Sequence, residues 1–321
     1  MGDVLYLTQA DVEAAGVTMA EVMEAAEVGF REHGEGRVEM PPKPGVHSQP
    51  NAFIHAMPAW VPALGAVGVK WVGGYPENAR RGLPTITGLL ILNDHETGLP
   101  LAIMDCIWIT AKRTGAATAL SAKHLARPES EVLGVLGCGV QGRSNVEALR
   151  EVFPLTKVVG YDVVAARAER FRADVEEQWG LETVVAAEPR EAVSGCDLVV
   201  TAGPDPPRHR TIKQGWLEEG AFASLVDVDA SWDGPAVQEV DKFTTDDLAQ
   251  FEHYRSRGRL PDVREVYATL GELVAGKKPG RERSEERTMA CNIGAALGDM
   301  ATAAIIYRRA LARGIGTRLP L

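Results

Sequence analysis

The chain of 321 residues contains no apolar run near the roughly 18–20 residues that a membrane span needs. Its first residues, Met1-Gly2-Asp3-Val4-Leu5-Tyr6, show no basic stretch leading into an apolar one, which argues against export and for a cytoplasmic protein. The four cysteines (Cys106, Cys138, Cys196, Cys291) form no CxxC pair, and three lie in apolar stretches as expected of reduced, buried thiols. No HExxH motif and no Cys/His cluster at ligand spacing occurs among the seven histidines, so no metal site is expected. Basic residues are too few to balance the acidic ones, 34 against 44, for a net charge of −10. Such a chain repels polyanions, which argues against nucleic acid or an anionic membrane as partner but leaves a small anion open. Lysine is scarce even within the basic set, 9 of 34, so a lysine at a suggestive position stands out for its tunable amine.

What is present is an ordinary globular composition, 45% apolar and 24% charged, long enough for two domains. Thr18-Met19-Ala20-Glu21 has the form of a capping box, and Val22, Ala25, Ala26, Gly29 and Phe30 follow on one helical face. Met40-Pro41-Pro42-Lys43-Pro44 stops any helix. Short apolar runs at 66–72, 88–93 and 101–104, punctuated by Gly and Pro, predict a β-rich region, and 110–126 is helical in composition. From Glu131 the pattern changes. Strands at 132–136, 157–161, 183–187, 197–202, 222–226 and 242–245, with helices at 141–152 and 163–179 between the first three, imply βαβ units and a parallel sheet. The charged stretch 275–287 reads as an exposed loop. The spacing of Ile293, Ala296, Leu297, Met300, Ala304, Tyr307 and Leu311 then predicts a long amphipathic helix.

The motif with the clearest chemistry is Gly137-Cys138-Gly139-Val140-Gln141-Gly142. A G-x-G-x-x-G is weak alone, but this one follows a predicted strand and opens a predicted helix, and Asp162 ends the next strand. The first Gly permits the tight turn, the second lets a pyrophosphate approach the backbone, and the third allows close helix–strand packing, with the helix N-terminus facing the phosphate charge. Asp162 would accept from ribose hydroxyls and repel a 2′-phosphate, and Val163 stands where an NADP site often has Arg. The cofactor expected is NAD, with NADP disfavoured. The bland alternative is a Gly-rich turn without a ligand. Carboxylates also end a later strand, in Leu225-Val226-Asp227-Val228-Asp229, where capping a buried turn is as good a reading as chemistry.

Met57-Pro58-Ala59-Trp60, Gly68-Val69-Lys70-Trp71-Val72, Gly82-Leu83-Pro84-Thr85, the segment 94–101, Ala111-Lys112-Arg113-Thr114-Gly115-Ala116, Leu125-Ala126-Arg127-Pro128 and the 137–142 loop together resemble the ornithine cyclodeaminase/μ-crystallin family. The resemblance runs through most of the chain. It implies an α/β architecture: a Rossmann-type doubly wound parallel sheet at 121–294, plus a β-rich α+β substrate and dimerisation domain at 1–120 joined by a C-terminal helix at about 295–321. It further implies hydride exchange between a nicotinamide and the Cα of an amino or imino acid. Carried over by position, Lys70 is similar to the family's active-site lysine, Arg113 to the arginine that grips the substrate carboxylate, and Asp229 to its catalytic aspartate, with Asp227 as the fallback. Thr85 and Thr201 match cofactor-contacting positions beside Gly137, Gly139, Val140, Gln141, Gly142 and Asp162; Asn292 stands where Ser is expected. Lys43 replaces an arginine of the cyclodeaminases, and His55 replaces the glutamate expected to handle a distal ammonium. These departures suggest a cation-rich pocket for a neutral or acidic side chain, although Lys43 and His55 lining the rim is an equal alternative. The expected activity is that of an NAD-dependent amino acid dehydrogenase or imine reductase acting as a homodimer. A cyclodeaminase that uses NAD catalytically and a non-catalytic NAD(P)H-binding protein are the competing readings.

Overall fold

The structure, a computed structural model, describes residues 2–203 and 210–321. They form two compact units, 1–113 with 295–321, and 114–294. The boundary expected at 120 lies within a helix, α3 (Ile107–Leu125), which runs through the division.

The first unit is built on a seven-stranded sheet. Its strands are β1 (Asp3–Leu7), β2 (Gly45–Val46), β3 (Phe53–Val61), β4 (Ala66–Gly74), β5 (Ile86–Asn93), β6 (Pro100–Asp105) and, last in the chain, β15 (Thr317–Pro320). The order is β15-β1-β6-β5-β4-β3-β2, with β1 and β6 parallel and the other neighbours antiparallel. Two capping boxes start the helices α1 (Gln9–Ala14) and α2 (Met19–Gly34), at Thr8/Asp11 and at the expected Thr18/Glu21. The helix α9 (Ala296–Arg313) packs on β3, β4 and β5, and α2 packs on α9. The apolar spacing expected of α9 is present, but the helix is buried on nearly every side over its first half, because it is rich in alanine and glycine. It is also shorter than expected. Gly314, at φ +65°, ends it in the left-handed conformation that glycine adopts without strain, and the following residues form the edge strand β15 instead of more helix.

Register explains where Lys70 sits. Leu7, Met104, Leu90, Lys70 and Met57 lie directly opposite one another across β1, β6, β5, β4 and β3, and all five are buried. Side chains in register share a face, so Lys70 is the single polar member of an otherwise apolar row.

The second unit holds an eight-stranded, all-parallel sheet. Its strands are β7 (Val132–Leu136), β8 (Lys157–Tyr161), β9 (Glu182–Val185), β10 (Leu198–Thr201), β11 (Phe222–Leu225), β12 (Lys242–Thr245), β13 (Ala268–Thr269) and β14 (Thr288–Cys291). They lie in the order β13-β12-β14-β11-β10-β7-β8-β9. The helices are α4 (Val140–Leu149), α5 (Ala165–Trp179), α6 (Gly234–Gln238), α7 (Leu248–Ser256) and α8 (Leu270–Val274). The strand order reverses beside β7, which is the crevice where such sheets bind nucleotides. The 275–287 segment is not simply exposed. Glu286 is buried beside Lys242, 3.5 Å away, and Arg281 donates to main-chain carbonyls including those of Leu125 and Glu286. These bonds anchor the loop that leads into β14.

Candidate active site

The first unit supplies a buried charge cluster. Lys70 points from β4 toward the first turn of α9, where Asp299 accepts its Nζ at 2.8 Å through Oδ1. Arg113, on α3, donates Nε to the same oxygen at 3.1 Å, and Thr110 Oγ1 lies 3.4 Å from Nζ. Lys70 and Asp299 are both fully buried, and Arg113 nearly so. Burial, then the neighbouring Arg113 guanidinium, pushes the Lys70 amine down to about 8 against the opposing pull of Asp299. Burial pushes the adjacent Cys106 thiol up to about 11, so it is a poor nucleophile. The second oxygen of Asp299, Oδ2, is buried and has no hydrogen-bond partner among the described residues.

His55 lies two residues from Met57 on β3, so strand alternation puts it on the Lys70 face, stacked on Phe53 with ring centroids 4.2 Å apart. Lys43 is buried while Pro42 and Pro44 on either side are exposed, which turns its side chain inward beside the strand pair Gly45–His55. The structure thus brings Lys70 and Arg113 together and places His55 on the same sheet face. Thr85 belongs to this unit too; it is exposed, and its carbonyl accepts the Tyr75 N–H at 2.8 Å. Asp299 was not legible as a site residue, since one acid in an alanine-rich helix carries no motif.

The second unit holds the Gly137–Gly142 loop. Gly137 has φ +101°, and a Cβ there would lie 2.4 Å from the Ala202 carbonyl oxygen. A Cβ on Gly142 would lie 2.4 Å from the Gly137 oxygen, so this glycine exists for packing. Gly139 differs: a Cβ there would meet nothing within 4 Å, and the residue is the N-cap of α4 without a side-chain cap. That open space in front of a helix N-terminus is a cradle suited to a pyrophosphate. Val140 is exposed at its rim, and the Gln141 side-chain oxygen is buried and unpaired among the described residues. Asp162 accepts the N–H of Cys138 at 3.0 Å and of Val164 at 2.9 Å, tying the loop to the end of β8. Arg143 braces the loop from outside, bonding to the Cys138 carbonyl and to Asp174 over the ring of Phe171.

At the carboxyl ends of later strands, Thr201 donates to Asp227 at 2.7 Å and accepts the Trp232 indole N–H at 3.2 Å. Asp227 is buried and also accepts from Ser231 and from the Gly203 N–H, and burial raises its pKa above the usual carboxylate range. Asp229 is in a different setting. Burial alone would raise its pKa, but Arg259, bonded at 2.8 Å, the Leu260 N–H and Arg210 bring it below the usual range. Between the two aspartates Val228 holds φ +62°, a strained conformation for a β-branched residue and one of the few non-glycine positive φ values among the described residues. Asn292, just beyond β14, donates to Ser121 Oγ at 3.1 Å while its own amide oxygen is buried without a partner among the described residues. No group of three or more His, Cys, Asp or Glu suited to a metal occurs among the described residues.

Comparison with known proteins places these parts in context. The model of the ornithine cyclodeaminase/mu-crystallin family matches residues 3–314. The alanine dehydrogenase of Archaeoglobus fulgidus is 39% identical over 99% of this chain and 98% of its own length. Among solved structures, the Thermococcus litoralis Δ1-pyrroline-2-carboxylate reductase in complex with NADH and L-proline superposes with a TM-score of 0.90 at 33% identity, over 98% of this chain and 100% of that one. An archaeal alanine dehydrogenase dimer with bound NAD also reaches 0.90, at 37% identity and 99% of both chains.

Proposed function

The chain belongs to the ornithine cyclodeaminase/mu-crystallin family, and we propose from that premise that it is an NAD-dependent oxidoreductase transferring hydride between a nicotinamide and the Cα of a 2-amino or 2-imino acid. The observation that carries this reading is the buried Lys70–Asp299–Arg113 cluster in a chain that also holds a complete dinucleotide loop. A 2-imino acid presents one carboxylate to grip and one nitrogen that needs a proton. Arg113 spends Nε on Asp299, and its terminal nitrogens form the planar fork that suits a carboxylate. Lys70, with its amine brought to about 8, still carries a proton at neutral pH and gives it up readily, as a group serving the substrate nitrogen must. Lys43, buried beside the strand pair that carries His55, adds a positive charge, which supports a substrate side chain that is neutral or acidic.

The cradle at Gly139, with Gly137, Val140, Gln141 and Gly142 around it, fits a pyrophosphate, and Asp162 fits ribose hydroxyls. Thr201 and Asn292, in the same unit as this loop, join the cofactor set in this reading, and the family resemblance alone adds Thr85. The bound nicotinamide supplies the hydride in the reductive direction and receives it in the oxidative one. NAD is favoured over NADP because the Asp162 carboxylate opposes a 2′-phosphate. Asp229, clamped by Arg259, acts here as a fixed anion beside the cofactor half, not as a proton carrier. The working form is a homodimer. Trp71 and Leu89, directly opposite on β4 and β5 and both exposed, offer an apolar patch on the sheet face opposite Lys70.

The test is NADH oxidation with pyruvate plus ammonia, with Δ1-pyrroline-2-carboxylate and with imino-dicarboxylates. Turnover with one of them is expected. Ammonia release from ornithine or lysine without NADH accumulation would instead make the chain a cyclodeaminase, and tight NADH binding without any turnover would make it a nucleotide-binding protein.

A further inference from the structure

We propose that Asp299 is a positioning residue, whose single bonded oxygen fixes the spacing between the Arg113 guanidinium that receives the substrate carboxylate and the Lys70 ammonium that serves the substrate nitrogen. The inference rests on the oxidoreductase reading above and deepens it.

Three observations carry it. The first is geometric: Asp299 Oδ1 takes Lys70 Nζ at 2.8 Å and Arg113 Nε at 3.1 Å, so one atom sets the spacing of both cations. The second is charge. Two cations and one anion leave the cluster with one net positive charge, the complement of one carboxylate. Without Asp299 the two cations would face each other with no counter-ion in a dry site. The third is the bonding pattern: Oδ2 is buried with no hydrogen-bond partner among the described residues. A carboxylate kept only to tie the fold together is ordinarily satisfied at both oxygens, and an orphaned one calls for a role beyond cohesion. The helix also favours an anion here, because Asp299 lies in the first turn of α9, at the positive end of its dipole. The groups facing Lys70 are Asp299 from α9, with Arg113, Thr110 and the nearby Cys106 from the α3 segment, and the apolar Met57 and Leu90 from β3 and β5. His55 is on the same face, two residues from Met57. Asp299 is therefore the one anion of the set.

The experiment compares the pH dependence of kcat/KM for NADH-linked imine reduction in the wild type and D299N. Removing the anion leaves Lys70 beside Arg113 alone, so the basic limb should move to lower pH by at least a unit, roughly the low end of the effect of a contacting opposite charge. KM for the imino acid should rise more than tenfold and kcat should fall less. D299E keeps the charge but displaces it by a methylene; its basic limb should stay at the wild-type position while KM rises. D299E also decides the matter if D299N does not fold. A D299N profile with its basic limb unmoved, or a D299E enzyme with wild-type KM, overturns the proposal. If the wild type turns over no imino acid, the oxidoreductase reading fails and this inference falls with it. Turnover with an unmoved limb sinks the inference alone.

Discussion

A methyl group on Gly139 should separate cofactor binding from folding. The residue sits at φ −84° and ψ −157°, which alanine adopts without strain, and the added Cβ would meet no heavy atom within 4 Å. Exchanging Gly for Ala at an N-cap changes stability by about 1 kcal/mol or less, because the gain in the unfolded state offsets the poorer cap. The melting temperature of the apo protein should therefore move by no more than about 4 °C. The same methyl would fill the space through which, in the proposed reading, a pyrophosphate would reach the N-terminus of α4. Losing a hydrogen bond to a charged group costs about 1.5–3 kcal/mol, which is a roughly ten- to hundredfold rise in Kd for NADH. G142A is the contrast, since its Cβ would lie 2.4 Å from the Gly137 carbonyl oxygen, backbone that gives way only at a cost. It should lose about 1–3 kcal/mol of stability, typical of overpacking, before any ligand is added. NADH fluorescence titration and apo thermal melts read both effects. A G139A protein that folds normally and binds NADH like the wild type would refute the assignment of this loop to the pyrophosphate.

Other consequences follow from single residues. K70M should lower kcat/KM by about 10²–10⁴-fold, the usual worth of a positioned proton donor, while the NADH Kd stays unchanged. Lys70 also makes a pH-dependent contribution to stability. Its folded pKa of about 8 lies below the unfolded 10.5, so the unfolded chain binds more protons between those values. Wild-type stability should therefore gain on K70M as pH rises from about 8 to 10.5, measurable by urea unfolding at several pH values; a gain on acidification instead would contradict the burial argument. D162S should raise Kd for NADH and lower it for NADPH, changing their ratio at least about tenfold, since in the proposed reading the carboxylate would accept from the ribose and repel a 2′-phosphate. An unchanged ratio in competitive titrations would remove Asp162 from cofactor selection.

The parallel sheet was readable because each of its early strands is a short apolar run bounded by turns, and the 137–142 loop falls between a strand and a helix with Asp162 at the expected distance. β14 was hidden. It is four residues long and follows a charged loop, and what makes it a central strand is the pairing with β11 and β12 on either side, which no local pattern reports. β1 and β15 were hidden for the same reason: β1 lies between β6 and β15, β15 lies at the edge, and both are defined by long-range partners. The 275–287 segment is the expected loop and is exposed over most of its length; Glu286 and Arg281 depart from that because they spend their charge on buried partners, which no local pattern reports. In the site, Lys70 and Arg113 stood out through family resemblance, and register then explained the lysine's buried position. Asp299 had no comparable signal. It is 186 residues from Arg113 in sequence, and only folding brings the two side chains to one oxygen. Asp229 was legible as a strand-end carboxylate, but its clamp by Arg259 was not, since that arginine arrives from a separate loop.

The central claim is direct hydride exchange at the substrate Cα, and the measurement that tests it most directly is isotopic. NADH carrying deuterium at both C4 positions is incubated with the protein and the imino acid that gives the fastest turnover, and the amino acid product is analysed by mass spectrometry. One deuterium per product molecule, located at Cα, together with stoichiometric NAD formation, is the result predicted. Product without deuterium, or product formed with no net NADH consumed, would contradict it.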